Sequence, residues 1–268
     1  MKKFKIALCQ IVPCYEKARN VYHALEMVKE AIGTGASLIA LPEMFYYPFE
    51  LQSLKNITDN EDDILLEFKE LAAQNSVYIC TGSMAVKQGS CIYNRSYLLG
   101  PDGNEIYFYD KRMLFDVDFK QLRVCESAIF SSGRSSAFKM TELGCIATVI
   151  CYDIRFPEIV SSTVSQEAEL LLVPAVFNQV TGPAHWEIVM RARAIENQIF
   201  LAAISQGKNP QSSYKAYGHS MVVSPWGDIL AEAGEDEQII YADIDPDIIV
   251  ETRNRLPLLK KRKKIYNN

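Results

Sequence analysis

The chain has 268 residues, of which 49% are hydrophobic and 23% are charged, and its formal net charge is −5. Together with a mean hydropathy of −0.04, these values are typical of a folded globular protein and exclude a disordered, collagen-like or coiled-coil chain. The negative charge gives no general attraction to nucleic acid or to an anionic membrane, so we expect neither as a partner.

The first half of the chain alternates short apolar runs with helical periodicity. Residues 4–12 predict a strand, and apolar residues at helical spacing predict a helix over 16–32 that stops at Gly33. Further along, the pattern predicts a strand at 37–41, a helix at 62–75 and a strand at 77–86. The turn sequence Gly-Pro-Asp-Gly-Asn then predicts a hairpin that joins strands 93–99 and 105–109.

The second half repeats this plan. It predicts a strand at 145–150, a helix from about Pro157, a strand at 170–173, a helix at 184–198, a strand at 199–205, a hairpin over 220–231 and a strand at 238–243. Segment 38–45 also resembles segment 170–177, and 93–106 resembles 217–230. We therefore expect an α/β fold in one domain, with two mixed sheets that face each other and helices on the outer faces.

Seven cysteines without any Cys-x-x-Cys spacing argue against a disulfide framework. Free thiols in a reducing compartment explain them better, and the apolar stretch at the start is too short for a signal peptide. We therefore expect a cytoplasmic protein. The basic segment 258–268 is interpreted as a short solvated tail, with an address signal or an anion contact as the alternatives.

Three side chains carry suitable chemistry where strands are predicted to end. Glu43 follows a buried strand and precedes aromatic residues, which would raise its pKa towards that of a general base. Cys151 lies between a strand and a helix, where a sharp turn would expose a nucleophile. Lys111 follows the predicted hairpin and could stabilise an oxyanion. A structural ion pair, a core thiol and a surface lysine are the alternatives for these residues.

The sequence contains no motif that indicates a metal site or a nucleotide-binding site. The three histidines, His23, His185 and His219, form no metal-ligand spacing, and no phosphate-binding glycine motif occurs. We therefore expect no metal and no cofactor. A thiol hydrolase that pairs Cys151 with His185 or His219 stays open as a rival.

Together these residues resemble the nitrilase superfamily of carbon–nitrogen hydrolases over nearly the whole chain. The resemblance rests on Leu41-Pro-Glu43, the segments 111–118 and 151–158, Glu126-Ser127, and Phe-Asn-Gln-Val-Thr-Gly-Pro-Ala-His-Trp-Glu at 177–187. The last segment looks most like the omega-amidase branch, which hydrolyses the terminal amide of 2-oxoglutaramate and 2-oxosuccinamate. Amidases of deaminated glutathione share much of the second half, and an N-carbamoyl amide hydrolase is a further alternative.

The resemblance implies a four-layer αββα sandwich with an internal pseudo-twofold repeat, and a homodimer paired through the helix that begins near Pro157. It also implies a Glu43–Lys111–Cys151 triad that cleaves an amide through a thioester. Glu126 would orient Lys111 or the substrate, with a surface carboxylate as the alternative. A catalytically idle interaction module is the alternative from another functional class.

Four further residues are predicted to bind the substrate. The backbone N–H of Tyr152 would hold the oxyanion together with Lys111. Arg155, four residues after Cys151, would bind the far carboxylate of the substrate, while Phe177 and Thr181 would form the opposite wall. For Arg155, an ion pair with a neighbouring acidic residue, Asp153 or Glu158, is the alternative.

Overall fold

Two mixed sheets form the centre of the fold in the computed structural model, which describes residues 2–50, 61–119, 122–164 and 167–266. The first sheet has the strand order β15-β1-β2-β3-β5-β4, with β6 paired to β5. Its strands are β1 (Phe4–Gln10), β2 (Leu38–Ala40), β3 (Tyr78–Cys80), β4 (Met84–Gln88), β5 (Cys91–Leu99), β6 (Glu105–Asp110) and β15 (Gln238–Ile244).

The second sheet has the strand order β14-β13-β12-β11-β10-β9. Its strands are β9 (Ala137–Thr141), β10 (Gly144–Thr148), β11 (Leu170–Ala175), β12 (Phe200–Ser205), β13 (Met221–Val223) and β14 (Ile229–Glu232). A separate pair consists of β7 (Asp116–Phe119) and β8 (Leu122–Cys125). In both large sheets three adjacent strands run parallel, β1-β2-β3 in one and β10-β11-β12 in the other.

Helices cover the outer faces of both sheets. The helices of the described ranges are α1 (Lys17–Gly33), α2 (Glu61–Asn75), α3 (Pro157–Val164), α4 (Gly182–Asn197), α5 (Pro246–Arg255) and α6 (Leu258–Tyr266), with short 3₁₀ helices at Glu126–Ala128 and Cys151–Arg155. One apolar cluster lies between α1, α2 and the first sheet, and another lies between α3, α4 and the second. No helix in the described part of the chain is both long and apolar enough to cross a membrane.

The layer between the two sheets is made by the alternation of side chains along the strands. In β1, Ile6 and Leu8 point towards the second sheet, where Leu172 and Phe200 join the same buried cluster. Ala7 belongs instead to the cluster beneath α1 and α2, as expected when successive side chains point to opposite faces. The αββα sandwich of two mixed sheets is confirmed, and both halves follow the same strand–helix order.

Two predicted boundaries are wrong, and a glycine explains each of them. Residues 77–86 form β3 and β4 rather than one strand, because Gly82 between them has a φ of +69°. Helix α1 includes Gly33, and the glycine with positive φ that follows the helix is Gly35, at +83°. The other predicted elements in the described residues are present with ends shifted by at most two residues.

The sequence analysis missed β7, β8, β9 and the two last helices. The start of α5 did carry a signal, because Asp245 caps the helix by accepting from the Asp247 N–H and a proline follows it. The basic segment after residue 257 is not a solvated tail throughout, since α6 extends from Leu258 to Tyr266. Arg262 on α6 donates to the side chain of Asn197 at 2.8 Å, which attaches this helix to the end of α4.

Candidate active site

Glu43 lies just beyond the carboxyl end of β2, where the chain turns sharply beneath the helices. Its side chain is fully buried, and the next residue, Met44, has a φ of +49°. The side-chain amide of Gln206 donates to the carbonyl oxygens of Glu43 and Met44 at 3.0 and 2.9 Å. A turn with an unusual backbone conformation, held by a side chain from another strand end, is typical of a functional position.

Lys111 follows β6 and brings two carboxylates together. Its Nζ donates to Glu43 Oε1 at 2.9 Å and to Glu126 Oε1 at 3.0 Å, and its distance to Glu126 Oε2 is 2.8 Å. Glu126 starts a short 3₁₀ helix and also accepts the backbone N–H of Phe115 at 2.6 Å. All three charged side chains are at most 1% exposed, so water screens these interactions very little.

Cys151 lies at the turn that follows β10, and its φ is +46°. The carboxylate of Asp153 fixes this turn by accepting the N–H of Ile150 at 3.2 Å. The same carboxylate accepts the N–H of Met113 at 2.7 Å and the hydroxyl of Tyr109 at 2.8 Å. Asp153 therefore attaches the Cys151 turn to the segment that carries Lys111. The predicted strand–turn–helix geometry is present, and the helix begins as a 3₁₀ turn.

Burial is the largest single influence on the pKa values of Glu43, Lys111 and Cys151. Burial raises the pKa of Glu43 above its ordinary value, although the Lys111 charge opposes the shift. Burial also raises the pKa of Cys151 well above its ordinary value, and the Glu43 charge adds to the rise. For Lys111, burial alone would lower the pKa, but the charges of Glu126 and Glu43 overcome it and raise the pKa well above the ordinary value. The cluster thus contains an ammonium and a neutral thiol, and Glu43 and Cys151 lie close enough for each to affect the pKa of the other.

A cleft opens over Lys111 and Cys151. All four predicted binding residues line it: Tyr152, Arg155, Phe177 and Thr181. The Arg155 guanidinium lies 4.5 Å from the centre of the Phe177 ring and donates to His185 Nδ1 at 3.0 Å. Among the described residues no carboxylate pairs with Arg155, so the predicted alternative, an ion pair with Asp153 or Glu158, is absent.

A protein-family model described as carbon-nitrogen hydrolase matches residues 5–254. The chain belongs to this family. The omega-amidase NIT2 of Danio rerio is 36% identical over 265 residues, which cover 98% of this chain and 96% of that protein. Nitrilase homolog 2 of Dictyostelium discoideum is 39% identical over 272 residues, covering 99% and 82%.

The solved structures agree with this assignment. The crystal structure of Nit3 from Saccharomyces cerevisiae, described as a member of branch 10 of the nitrilase superfamily, aligns with a TM-score of 0.90 at 34% identity and covers 97% of both chains. The Caenorhabditis elegans NitFhit protein aligns with a TM-score of 0.90 at 30% identity, over 97% of this chain and 65% of that one. The family and its omega-amidase relatives show that the protein is an amidase that hydrolyses carbon–nitrogen bonds.

The carbon–nitrogen hydrolase site also contains residues that sequence reasoning missed. Asn94 donates its side-chain amide to Glu43 and to Glu126. The additional residues that line the cleft are Phe49, Phe115, Val176, Asn178 and Tyr214. Asn178 and Val176 could have been predicted as site residues, because they adjoin Phe177 just after β11. Asn94 lies inside a strand, where a polar residue ordinarily indicates a solvent-facing position, and Phe49 and Tyr214 lie in loops without periodicity.

Two residues that flank Glu43 and Lys111, the bulky Phe45 and the charged Asp110, do not line the cleft. Phe45 packs edge-to-face on Tyr46 and on Phe68 of α2, within the outer apolar cluster. Asp110 forms a two-point ion pair with Arg95, with distances of 2.6 and 2.9 Å. These side chains therefore stabilise the strands around the cleft and leave its lining to other residues.

Among the described residues, neither histidine of the rival hypothesis forms a hydrogen bond with Cys151. His185 accepts from Arg155, and His219 stacks on Tyr217 with its Nδ1 3.4 Å from Glu232. Because a general base must lie within hydrogen-bond reach of the proton it takes, the geometry favours Glu43 over either histidine. In the described residues no group of three or more His, Cys, Asp or Glu side chains could hold a metal ion.

Proposed function

We propose that the protein is an omega-amidase that hydrolyses the terminal carboxamide of a small, carboxylate-bearing substrate such as 2-oxoglutaramate. The observation that carries this proposal is a buried Glu43–Lys111–Cys151 cluster beneath a small cleft in which Arg155 has no carboxylate partner among the described residues. Arg155, Asn178 and Thr181 line this cleft together with aromatic side chains, which suits a small substrate with a polar end. The curated relatives from Danio rerio and Homo sapiens carry the name omega-amidase.

The proposed reaction begins with acylation of Cys151. Glu43 takes the thiol proton while the sulfur attacks the amide carbonyl carbon, and the resulting oxyanion is held by the Lys111 ammonium and the backbone N–H of Tyr152. Tyr152 lies in the first turn of the 3₁₀ helix, where N–H groups have no helical acceptor. Loss of one such donor ordinarily raises the barrier by about 3–4 kcal/mol.

The second half of the reaction regenerates the thiol. Protonated Glu43 gives its proton to the departing nitrogen, so that ammonia leaves and a thioester remains on Cys151. The Glu43 carboxylate then takes a proton from water, whose oxygen attacks the thioester carbonyl carbon. The bond between that carbon and the Cys151 sulfur breaks, the carboxylic acid leaves, and Glu43 returns its proton to the sulfur. Glu126 keeps Lys111 in place through its 2.8–3.0 Å contacts.

We propose that Arg155 binds the distal carboxylate of the substrate. Burial lowers the pKa of Arg155 from the ordinary value, but a guanidinium stays ionised at an ordinary working pH. The Phe177 ring fixes one face of the guanidinium at 4.5 Å. Thr181 lines the same cleft and supplies a hydroxyl for the polar end of the substrate.

Ammonia release from a substrate panel tests this function. The panel contains 2-oxoglutaramate, 2-oxosuccinamate, deaminated glutathione and an N-carbamoyl amino acid, assayed with the wild type and with C151A, E43Q and H185A. We expect the 2-oxo amides to be the best substrates, C151A and E43Q to be inactive, and H185A to keep part of the rate. Activity confined to deaminated glutathione or to the carbamoyl compound would show that the 2-oxo amides are not the substrates and would assign that compound instead. An active E43Q with an inactive H185A would reject the mechanism.

We also propose that the chain works as one hydrolase domain that forms a homodimer in the cytoplasm. Helices α3 and α4 pack on each other beside the Cys151 turn, and Ile188 on α4 is 70% exposed, which suits a contact with a second copy. The cysteines, all free, suit a reducing compartment. Light scattering of the wild type and I188E tests the dimer, and a monomeric wild type would reject it.

A further inference from the structure

Asn94, in the middle of β5, contacts three of the charged residues of the catalytic cluster. Its side chain is fully buried, and its Nδ2 lies 2.8 Å from Glu43 Oε1 and 3.2 Å from Glu126 Oε1. Its backbone carbonyl oxygen accepts the N–H of Lys111 at 2.9 Å. The backbone contact places Lys111 and the side-chain contacts place both carboxylates, so one residue sets the relative positions of all three.

We propose that Asn94 is a positioning residue whose side-chain amide holds Glu43 with Oε2 towards the Cys151 thiol and keeps the two glutamates side by side. This inference rests on the catalytic roles proposed above for Glu43 and Cys151. Asn94 itself does not line the cleft, so it acts on the reaction through Glu43 and not through contact with the substrate.

The hydrogen bonds of Glu43 show how its two oxygens are distinguished. Oε1 accepts both Asn94 Nδ2 at 2.8 Å and Lys111 Nζ at 2.9 Å. Oε2 is buried and has no hydrogen-bond partner among the described residues. Glu43 nevertheless interacts with the thiol of Cys151. Oε2 is therefore the oxygen left to take the thiol proton, and the two donors on Oε1 hold the carboxylate in that rotation.

The charge balance explains why a neutral donor suits this position. Glu43 and Glu126 share a single ammonium, and the charge of Glu126 raises the pKa of Glu43, so a further donor to Glu43 offsets the repulsion between the two side chains. A second lysine would add a positive charge and make Glu43 a weaker base, whereas an alanine would provide no donor. The amide orientation is also determined, because the opposite flip would place Oδ1 against two carboxylates.

The side-chain amide should therefore set the pH at which Glu43 ionises. The other groups that face Glu43 are Lys111, Glu126, Cys151 and Tyr214. Lys111 stays an ammonium, and burial raises the pKa of both Cys151 and Tyr214, so these three groups keep their protons in the acid range. Removal of a donor to a carboxylate raises its pKa, which moves the acid limb of the activity profile to higher pH.

The test compares N94A and N94D with a matched control, N197A. Asn197 is also fully buried, but it donates to the Arg193 carbonyl at the end of α4, away from the cluster. For N94A we expect kcat to fall at least ~10-fold with KM within about twofold of wild type, and the acid limb of kcat/KM to move up by about one pH unit. N94D places a third carboxylate in the cluster, so we expect its kcat to fall further than that of N94A. N197A should lose thermal stability with an unshifted acid limb.

The outcomes separate this inference from the proposed function. If C151A or E43Q keeps its activity, the catalytic roles are wrong. If both are inactive while N94A retains the wild-type kcat and acid limb, the positioning role is wrong. A loss of kcat in N94A with an unshifted acid limb, together with a fall in melting temperature like that of N197A, would make Asn94 merely structural and would also overturn the inference. The rate of Cys151 alkylation against pH gives the same comparison without turnover.

Discussion

Substitution of Lys111 by methionine should destabilise the fold by an amount that depends on pH. Methionine keeps much of the side-chain volume but leaves Glu43 and Glu126 as two buried carboxylates without their shared cation. Lys111 and both glutamates are at most 1% exposed, so no discount for solvent screening applies. Removal of one partner of a buried ion pair ordinarily costs about 3–5 kcal/mol, and we expect K111M to lose that much unfolding free energy at about pH 7.5.

The sign of the pH dependence follows from the Glu43 carboxyl group. Lys111 lowers the pKa of Glu43 against the effect of burial, so its removal pushes the folded-state pKa further above the unfolded value. An acid with a raised folded-state pKa destabilises the fold when it is ionised, and this cost fades as the pH falls through the folded-state pKa towards the unfolded value. The stability deficit of K111M should therefore shrink between about pH 7.5 and about pH 5.

Chemical denaturation of wild type and K111M at the two pH values measures this deficit. The control is K208M, which breaks the Lys208–Glu235 pair, whose side chains are 37% and 41% exposed. An exposed pair of this kind contributes about 0–1 kcal/mol, so we expect K208M to stay close to wild type at both pH values. A K111M deficit that is equal at both pH values, or no larger than that of K208M, would refute this account of the cluster.

Three further substitutions test other parts of the site. Gly82→Ala should lower the free energy of unfolding several times more than Gly89→Ala does. Both glycines have positive φ, but of the two only Gly82 has an atom within reach of an added Cβ, the Pro42 carbonyl oxygen at 2.1 Å. Chemical denaturation of both variants measures the difference. Asp153→Asn should lower thermal stability and ammonia release together, because it loses an acceptor of the Met113 and Ile150 N–H groups; unchanged thermal stability would contradict this. Arg155→Met should raise KM for carboxylate-bearing amides about 10- to 100-fold but leave KM for neutral amides unchanged. An equal change of KM for both classes would show that Arg155 does not recognise the carboxylate.

The sequence was sufficient for the fold and for the places where reactive groups emerge from strands. Glu43 and Cys151 could be located because each follows a short buried run, and the strands β2 and β10 end just before them. The echo between segments 38–45 and 170–177 predicted two related halves, and these segments contain β2 and β11 with their following loops. Periodicity and order along the chain carry this information.

Contacts between segments that are distant along the chain could not be predicted from the sequence. Asn94 reads as an ordinary polar residue within a strand, and only the approach of Glu43 and Glu126, 51 and 32 residues away, makes it part of the cluster. Likewise, residues 77–86 read as one apolar strand because nothing local shows that Gly82 packs against the Pro42 carbonyl. These features depend on tertiary packing, which overrides local propensity.

Identification of the acylated residue tests the central claim most directly. Wild-type protein is mixed with 2-oxoglutaramate, quenched in acid within the first turnover, digested and examined by mass spectrometry, with C151A as the control. The account predicts an acyl group on the peptide that contains Cys151, absent from C151A, and ammonia release in a burst equal to the enzyme concentration. An unmodified Cys151 during turnover, or an acyl group on another of the seven cysteines, would contradict it.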